Sequence, residues 1–275
     1  MPTDPFPEAL LHGPGAYSAW VRWLAAPGAT AAMLREAGMS LRHLSGLAED
    51  TWVLPLLDAS LVGESHALLP RSGPGGAFPS SPTPLAAQVA APSYEALVHA
   101  LRKVEAAVAG AGVLHDELLG GKLGEGREPF GFRDGLWVPT PEEVRAVARI
   151  EEGPLAGGSW VLGIVFVQQV EAFLRLPERQ QLHAVGRTRD GEWLADAPPG
   201  AHAHEQAAVS RGWMVRRGFP WRSEGEEGLA FLAAAKSPDV FARALDAMTG
   251  ASGPTDRLLG WARPISAALY YAPPS

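Results

Sequence analysis

An acid between glycines is the first feature of the sequence that could do chemistry. It is Asp134, in the segment Gly-Phe-Arg-Asp-Gly at 131–135. Glycine lets the backbone approach a ligand closely, so this carboxylate is suited to point into a cavity and to move a proton. The structural alternative is an aspartate that caps the following turn. Spacing alone leaves both interpretations open.

Two histidines form a second candidate site. His202 and His204 stand in Gly-Ala-His-Ala-His-Glu, and on an extended segment residues two apart share a face, as metal ligands can. A cupin-like metal site also begins with His-x-His, but it needs a carboxylate several residues on and a second histidine motif. Glu205 is adjacent instead, and no good second motif follows. Solvated loop histidines are the alternative to a metal site.

Adjacent arginines are the third feature. Arg216 and Arg217 lie in Trp-Met-Val-Arg-Arg-Gly-Phe-Pro-Trp, an apolar and aromatic segment typical of a strand. Neighbouring strand residues face opposite sides, so one guanidinium is expected to point inward. A buried charge without a partner is costly, so an inward arginine predicts an anion beside it, either a structural carboxylate or a bound ligand.

Composition narrows the chemistry that these residues can support. The 275-residue chain has no cysteine, which excludes thiol nucleophiles, disulfides, iron–sulfur clusters and thiolate-ligated haem. A redox cofactor would therefore be held by histidine, tyrosine, methionine or carboxylate. The net charge of -7 without a basic run argues against nucleic acid and anionic membranes as partners. With no leader-like N-terminus and no apolar run of ~18 residues, the expectation is a cytoplasmic protein.

An internal repeat indicates how the chain is organised. Leu85–Leu101 aligns without gaps on Leu229–Leu245, at an offset of 144 residues, and each copy resembles a strand, a serine N-cap and a helix. Apolar runs at 16–26 and 160–168 predict two further strands, each followed by helix-like sequence. The pattern predicts an α+β fold of two similar halves, each an antiparallel sheet with helices on one face.

The segment between the halves is loop-like at first and then helical. Residues 120–140 are too rich in glycine and charge for one regular element, whereas Thr140 followed by Pro141 signals a helix start. We therefore expect an N-terminal half at 1–120, a connecting loop and helix at 121–156, and a C-terminal half at 157–275.

Five motifs together resemble one known family. In order and approximate spacing they resemble the dye-decolorizing (DyP-type) peroxidases, and the C-terminal stretch resembles the bacterial cytoplasmic subgroup. The resemblance is good from about residue 121 to 275 and thin over the first 80 residues. The motifs are Gly-Phe-Arg-Asp-Gly at 131–135, Gly-Gly-Ser-Trp at 157–160, Val-Gly-Arg-Thr at 185–188, Ala-His at 201–202 and Val-Arg-Arg-Gly at 215–218.

The resemblance implies a fold, a cofactor and site residues. The fold is two ferredoxin-like halves associated as in a dimeric α+β barrel, but within one chain, with haem b bound mainly by the second half. Asp134 matches the family's distal acid and Arg216 its distal arginine. His202 matches the proximal iron ligand, with His204 as its rival, and Arg187 matches the arginine near a haem propionate.

The implied function is a haem-dependent peroxidase. Hydrogen peroxide and a small-molecule reductant would be its partners, with aromatic or dye-like substrates oxidised in one-electron steps. A haem-binding or haem-trafficking protein with little turnover is the first alternative, and a non-haem metal site at His202 and His204 is the second. Homo-oligomerisation is left open. The chain ends at Tyr-Tyr-Ala-Pro-Pro-Ser, so packaging in a protein shell through a C-terminal tail is not expected.

Two departures from the subgroup affect these expectations. Many members have asparagine two places after the distal arginine, where this chain has Gly218. The departure puts in question how an oxidant derived from peroxide is stabilised. Where several members have an acidic residue or threonine near the proximal side, this chain has Ser237, which puts in question how strongly His202 is polarised.

Overall fold

The computed structural model of the chain describes residues 5–134, 136, 138–210 and 213–275, without the side chains of 125 and 208–210. Gly135, the last residue of the Gly-Phe-Arg-Asp-Gly motif, lies outside the described residues. The elements of the first half are β1 (Tyr17–Ala25), α1 (Ala31–Ser40), β2 (Trp52–Asp58), β3 (Arg71–Gly73), β4 (Gly76–Phe78), β5 (Leu85–Ala91), α2 (Tyr94–Val108) and β6 (Gly112–Gly121).

The connecting segment contains α3 (Pro141–Ala148) and leads into the second half. The predicted start of α3 is confirmed: Thr140 is its N-cap, Pro141 its first residue, and the Thr140 hydroxyl and the Glu143 carboxylate form a capping box. The elements that follow are β7 (Ser159–Gln168), α4 (Val170–Leu174), α5 (Glu178–Val185), α6 (His202–Ser210), β8 (Val215–Arg216), β9 (Phe219–Ser223), β10 (Glu226–Ala235), α7 (Pro238–Thr249) and β11 (Ala262–Ala272).

The two halves have the same antiparallel strand order. In the first half the order is β2-β5-β1-β6, and in the second it is β9-β10-β7-β11, with β8 paired to the same edge of β10 as β9. Numbered within each half, both read 2-3-1-4, the ferredoxin-like order. The predicted α+β fold of two ferredoxin-like halves is therefore confirmed.

The two sheets close into one barrel. β2 joins β11 through Asp58 opposite Tyr270 and Leu57 opposite Tyr271, while β6 joins β9 through Gly120 opposite Trp221. Gly120 is required at its seam because a Cβ there would lie 1.9 Å from the carbonyl oxygen of Pro220. The arrangement is the barrel of two associated halves expected within one chain.

Apolar side chains from both halves fill the space between the two sheets. Trp20 and Leu54 come from the first half, and Val165 and Tyr270 from the second; all are almost fully buried in one cluster. The other faces of the strands pack against the helices in a second cluster. Burial on both faces explains why β5 and β7 are nearly continuous apolar runs in the sequence.

The repeated segment occupies the same place in each half. Ser93 caps α2 after β5 by accepting a hydrogen bond from the Ala96 N–H, and Ser237 caps α7 after β10 by accepting one from the Asp239 N–H. The internal repeat is thus structural: in both halves it is the third strand of the four-stranded order and the helix that follows that strand.

Two sequence expectations about helices need correction. The apolar periodicity after 168 predicted one helical stretch, but the structure has α4 and α5, separated where Pro177 precedes α5 because proline cannot continue a helix. His202 was expected in a loop or extended segment, whereas it begins α6. Within the described residues, no helix is both long and apolar enough to cross a membrane.

Candidate functional site

A tight turn carries Asp134. The Glu128 N–H donates to the Phe132 carbonyl at 2.9 Å, and the Glu128 carboxylate accepts the N–H groups of Phe130 and Phe132, both at 3.1 Å. The Asp134 N–H donates to the Gly126 carbonyl at 2.8 Å. Backbone bonds therefore hold the turn on both sides of the acid, and the Asp134 residue itself is exposed.

A second turn, between Arg187 and Trp193, lies against the first. The Arg133 N–H donates to the Arg189 carbonyl at 2.7 Å, and the Arg187 Nη2 donates to the Arg133 carbonyl at 2.9 Å. Arg187 and Trp193 also pair as an isolated antiparallel bridge. The motif that carries the acid and the Val-Gly-Arg-Thr motif, 54 residues apart from Arg133 to Arg187, therefore form one structural unit.

Three charged groups, Glu128, Arg187 and Arg216, lie within electrostatic reach of Asp134. Burial raises the pKa of Glu128, an effect that its backbone hydrogen bonds and Arg187 oppose. Burial lowers the pKa of Arg187, although Glu128 and Asp134 act to raise it. Burial also lowers the pKa of Arg216, again opposed by Asp134. Two acids and two arginines thus share one region, with Asp134 interacting with all three other groups.

Arg216 and Arg217 have different surroundings. Arg216 is solvent-accessible, yet enough protein surrounds its guanidinium that burial lowers its pKa. Arg217 is the buried one, at 8% exposure, and burial lowers its pKa to about 10.

The expectation of an anion beside an inward arginine is wrong for Arg217. Its guanidinium donates to the Leu10 carbonyl at 3.1 and 2.7 Å and to the Arg216 carbonyl at 2.9 Å, and it forms no ion pair within the described part of the chain. Two backbone carbonyl oxygens take the place of the predicted carboxylate, because a guanidinium N–H group can donate to any accepting oxygen.

Arg187 presents one unsatisfied donor. Its Nη2 is bonded to Arg133, and its guanidinium lies 5.4 Å from the ring centre of Phe132. The buried Nη1 has no hydrogen-bond partner among the residues that the structure describes. A buried N–H group of a cation without an acceptor costs free energy, so this position favours an added anionic acceptor such as a carboxylate.

His202 is oriented by a buried carboxylate. Its Nδ1 lies 2.6 Å from Oδ2 of Asp256, which is 1% exposed, while the other oxygen of Asp256 accepts the Leu258 N–H. Nε2 of His202 has no hydrogen-bond partner in the described parts of the chain, and the side chain is 31% exposed. A carboxylate on one ring nitrogen fixes the tautomer and strengthens the other nitrogen as a metal ligand.

His204 is held differently. Its Nε2 bonds to the Gly186 carbonyl at 2.9 Å, and its ring lies 4.6 Å from that of Trp193. In α6, residues two apart are rotated by about 200°, so His202 and His204 do not share the face expected of an extended segment. No cluster of three metal-binding side chains occurs within the described residues. The geometry therefore favours His202 over His204 and does not support a joint metal site.

Two site residues could not be recognised in the sequence. Asp256 is 54 positions from His202 and follows Gly-Pro-Thr, a context that predicts only a capping role. Glu128 stands between Arg127 and Pro129 in a loop where a charged residue is expected at the surface. Only the folded chain shows that both carboxylates are turned inward.

The two departures noted in the sequence have structural explanations. Ser237 caps α7, and the carboxylate that pairs with His202 is that of Asp256 instead. At Gly218 a Cβ would lie 2.7 Å from the Ala230 carbonyl oxygen. The backbone of β10 therefore excludes a side chain, asparagine included, at this position.

Comparisons with known proteins agree on one family. The model of the family described as "Dyp-type peroxidase, C-terminal" matches residues 125–275. A dye-decolorizing peroxidase of Mycolicibacterium paratuberculosis is 25% identical over 254 residues, covering 87% of this chain and 71% of the relative.

Solved structures also resemble the chain over almost its whole length. A dye-decolorizing protein from V. cholerae superposes with a TM-score of 0.83 at 25% identity, covering 96% of each chain. A DypB variant of Rhodococcus jostii RHA1 in complex with heme has a TM-score of 0.85 at 23% identity, covering 97% of this chain and 96% of that one. Because the identity to the Rhodococcus jostii protein is below 25%, that structural similarity supports the fold and not the activity.

Proposed function

The chain belongs to the Dyp-type peroxidase family, and on that premise we propose that it is a haem-dependent peroxidase that reduces hydrogen peroxide and oxidises aromatic or dye-like reductants in one-electron steps. The observation that carries the proposal is that Arg187 and Arg216 both lie within electrostatic reach of Asp134. An acid and two cations of this kind suit an anionic cofactor and the cleavage of a peroxide.

The residues present fit haem. A haem offers an iron that takes an imidazole and propionate groups that take cations, and the chain has a matching donor for each. Nε2 of His202 is oriented by Asp256 for the iron. Nη1 of Arg187, buried without an acceptor among the described residues, suits a propionate. Haem, when bound, supplies the electrons that reduce the peroxide.

The protein's own residues handle protons and charge. Asp134 accepts a proton from one oxygen of hydrogen peroxide and delivers it to the departing oxygen, as a general base and then a general acid. Arg216 stabilises the negative charge that builds on the leaving oxygen. Arg216 also interacts electrostatically with Asp134, so the two groups act at the same place in the site.

Visible absorption during haem titration tests the proposal. We expect a Soret band in the wild type and in His204→Ala that is lost or shifted in His202→Ala. Hydrogen peroxide and a dye added to the haem-loaded wild type should give turnover. Specific haem uptake without turnover would leave the haem-carrier alternative, and a wild type with no specific Soret band would remove the proposed function altogether.

A cytoplasmic location is also part of the proposal, and it is supported by the resemblance of the C-terminal stretch to the bacterial cytoplasmic subgroup. Fractionation of the native host tests it, because recovery with the secreted or envelope fraction would contradict it. Size-exclusion chromatography with light scattering would determine whether the chain forms a homo-oligomer.

A further inference from the structure

We propose that Arg189 is a positioning residue that clamps the turn carrying Asp134 to the turn carrying Arg187, so that the proton-transferring acid and the anion-binding cation are set by one unit. The inference rests on the proposed function for the identity of the anion, a haem propionate. The clamp itself consists of contacts between described residues.

Arg189 joins two parts of the chain through both its side chain and its backbone. Its Nη1 donates to the Phe130 carbonyl at 3.0 Å, inside the turn that carries Asp134. Its Nη2 donates to the side-chain oxygen of Gln181 in α5. Its carbonyl accepts the Arg133 N–H at 2.7 Å, one residue before the acid. Displacement of Arg189 would therefore release the turn at two points.

Phe132 links Arg189 to Arg187. The ring is fully buried, and the guanidinium carbon of Arg189 lies 5.0 Å and that of Arg187 5.4 Å from its centre. Both arginines therefore use the same aromatic ring for a cation–π contact. Because the ring is shared, a change at Arg189 alters the surface on which Arg187 packs.

Gly131 shows that the close approach of Arg189 is built into the turn. It has φ +85, and a Cβ at this position would lie 2.8 Å from Nη1 of Arg189. Glycine suits the backbone conformation here, and a side chain at this position would require the guanidinium of Arg189 to shift. The first glycine of Gly-Phe-Arg-Asp-Gly therefore lies in contact range of Arg189, a residue 58 positions later in the chain.

Arg187 is the functional end of the clamp. Its Nη2 is bound to the Arg133 carbonyl, which leaves the buried Nη1 as its donor without an acceptor among the described residues. The guanidinium is planar, so the bond at Nη2 and the contact with Phe132 determine where Nη1 points. Arg189 stabilises that direction without touching the anion.

Arg189→Lys tests the clamp. Lysine keeps the positive charge, but it lacks the two guanidinium nitrogens that bind Phe130 and Gln181 and the planar group that packs on the ring of Phe132. Arg175→Lys is the matched control, since the side chain of Arg175 is 76% exposed and its ion pair among the described residues is with Glu171. The main measurement is the rate of haem transfer from each loaded protein to excess apomyoglobin. We expect release roughly 3- to 30-fold faster from Arg189→Lys, the range of a lost cation–π contact, and an unchanged rate from the control.

A double-mutant cycle distinguishes positioning from a general structural effect. If Arg189 acts through Arg187, Arg189→Lys should change haem release little in an Arg187→Lys background. Full additivity of the two substitutions would overturn the proposal, and so would haem release at the wild-type rate from Arg189→Lys.

Amide hydrogen exchange in the haem-free protein tests the clamp without relying on the cofactor. The N–H groups of Phe132 and Arg133 should exchange faster in Arg189→Lys than in the wild type and the Arg175→Lys control. Unchanged protection would refute the clamp. Faster exchange in a protein that takes up no haem would retain the clamp and reject only the proposed function.

Discussion

Nδ1 of His202 lies 2.6 Å from Oδ2 of Asp256, although 54 residues separate them in the chain. The carboxylate is buried and the imidazole partly exposed, so one ring nitrogen is oriented by Asp256 while the other has no hydrogen-bond partner among the described residues. This pairing is the arrangement by which proteins raise the basicity of a metal-binding histidine.

Asp256→Asn should weaken haem binding by about 10- to 100-fold, the usual cost of losing a partner of a metal ligand. Asparagine keeps an oxygen that can accept the Leu258 N–H, so the local 3-10 helix at 257–260 should survive. Haem titration followed at the Soret band measures the affinity. Asp239→Asn, at an exposed position of α7, is the control; equal affinities for the two variants would show that Asp256 does not act on the cofactor.

Arg216→Leu should lower the rate of peroxide reduction by ~10²–10³ while haem binding is retained, because Arg216 stabilises charge on the leaving oxygen. Stopped-flow kinetics with hydrogen peroxide measures this rate. A variant that reduces peroxide at the wild-type rate would remove Arg216 from the mechanism.

Arg217→Leu should lower the stability of the protein and have little effect on peroxide reduction, the reverse of what is expected for Arg216→Leu. Loss of Arg217 leaves the buried Leu10 carbonyl without donors, which is expected to cost about 1–3 kcal/mol in the free energy of unfolding. Urea denaturation measures this cost. Among molecules that remain folded, the rate of peroxide reduction should change far less than in Arg216→Leu. The two variants would then show that Arg216 acts in the reaction and Arg217 in the stability of the fold.

Glu128→Gln should change how stability depends on pH. Burial raises the pKa of Glu128 in the folded state, so its contribution to stability is fully present below the ordinary glutamate pKa and is lost as pH rises through the folded value. Glutamine cannot ionise, so the free energy of unfolding should fall less from about pH 5 to about pH 8 in the variant than in the wild type.

Urea denaturation at the two pH values measures the effect. Glutamine supplies one acceptor oxygen for the two N–H groups that Glu128 binds, so a pH-independent loss of about 0.5–1.5 kcal/mol is also expected. Glu171→Gln, whose side chain is 85% exposed, should leave the pH dependence unchanged. If the free energy of unfolding changes with pH equally in Glu128→Gln and in the wild type, Glu128 is not the group that causes the pH dependence.

Gly218→Ala should destabilise the protein by about 1–3 kcal/mol, since the new methyl group would meet the backbone of β10. Thermal denaturation is a sufficient measurement. Gly253→Ala is the control because nothing lies within 4 Å of its Cβ position and its φ is ordinary. A stability equal to that of the control would mean that β10 moves aside at little cost.

Local signals in the sequence predicted the fold well. The N-caps Ser93, Thr140 and Ser237 and the apolar runs of β1 and β7 each depend on residues a few positions apart, and the repeat supplied the relation between the halves. Pro177 shows the limit even of local patterns, because the periodicity continued across a break that the proline imposes.

The site was less predictable because it depends on distant contacts. Spacing did not reveal which of Arg216 and Arg217 is buried, since that depends on the carbonyl of Leu10, more than 200 residues away. The identification of His202, Asp134, Arg187 and Arg216 came from family resemblance. Their partners Glu128 and Asp256 belong to no short motif, and only the fold brings them together.

The few residue pairs at the barrel seams have a consequence for how the protein can change over time. Because so few backbone bonds join the halves, they are bound mainly by interior side chains, as two subunits of a fused dimer would be. Every candidate site residue lies between 128 and 256, outside the first half. After a duplication, the first copy would need only to preserve the shape of that interior, while the second also had to preserve its chemistry.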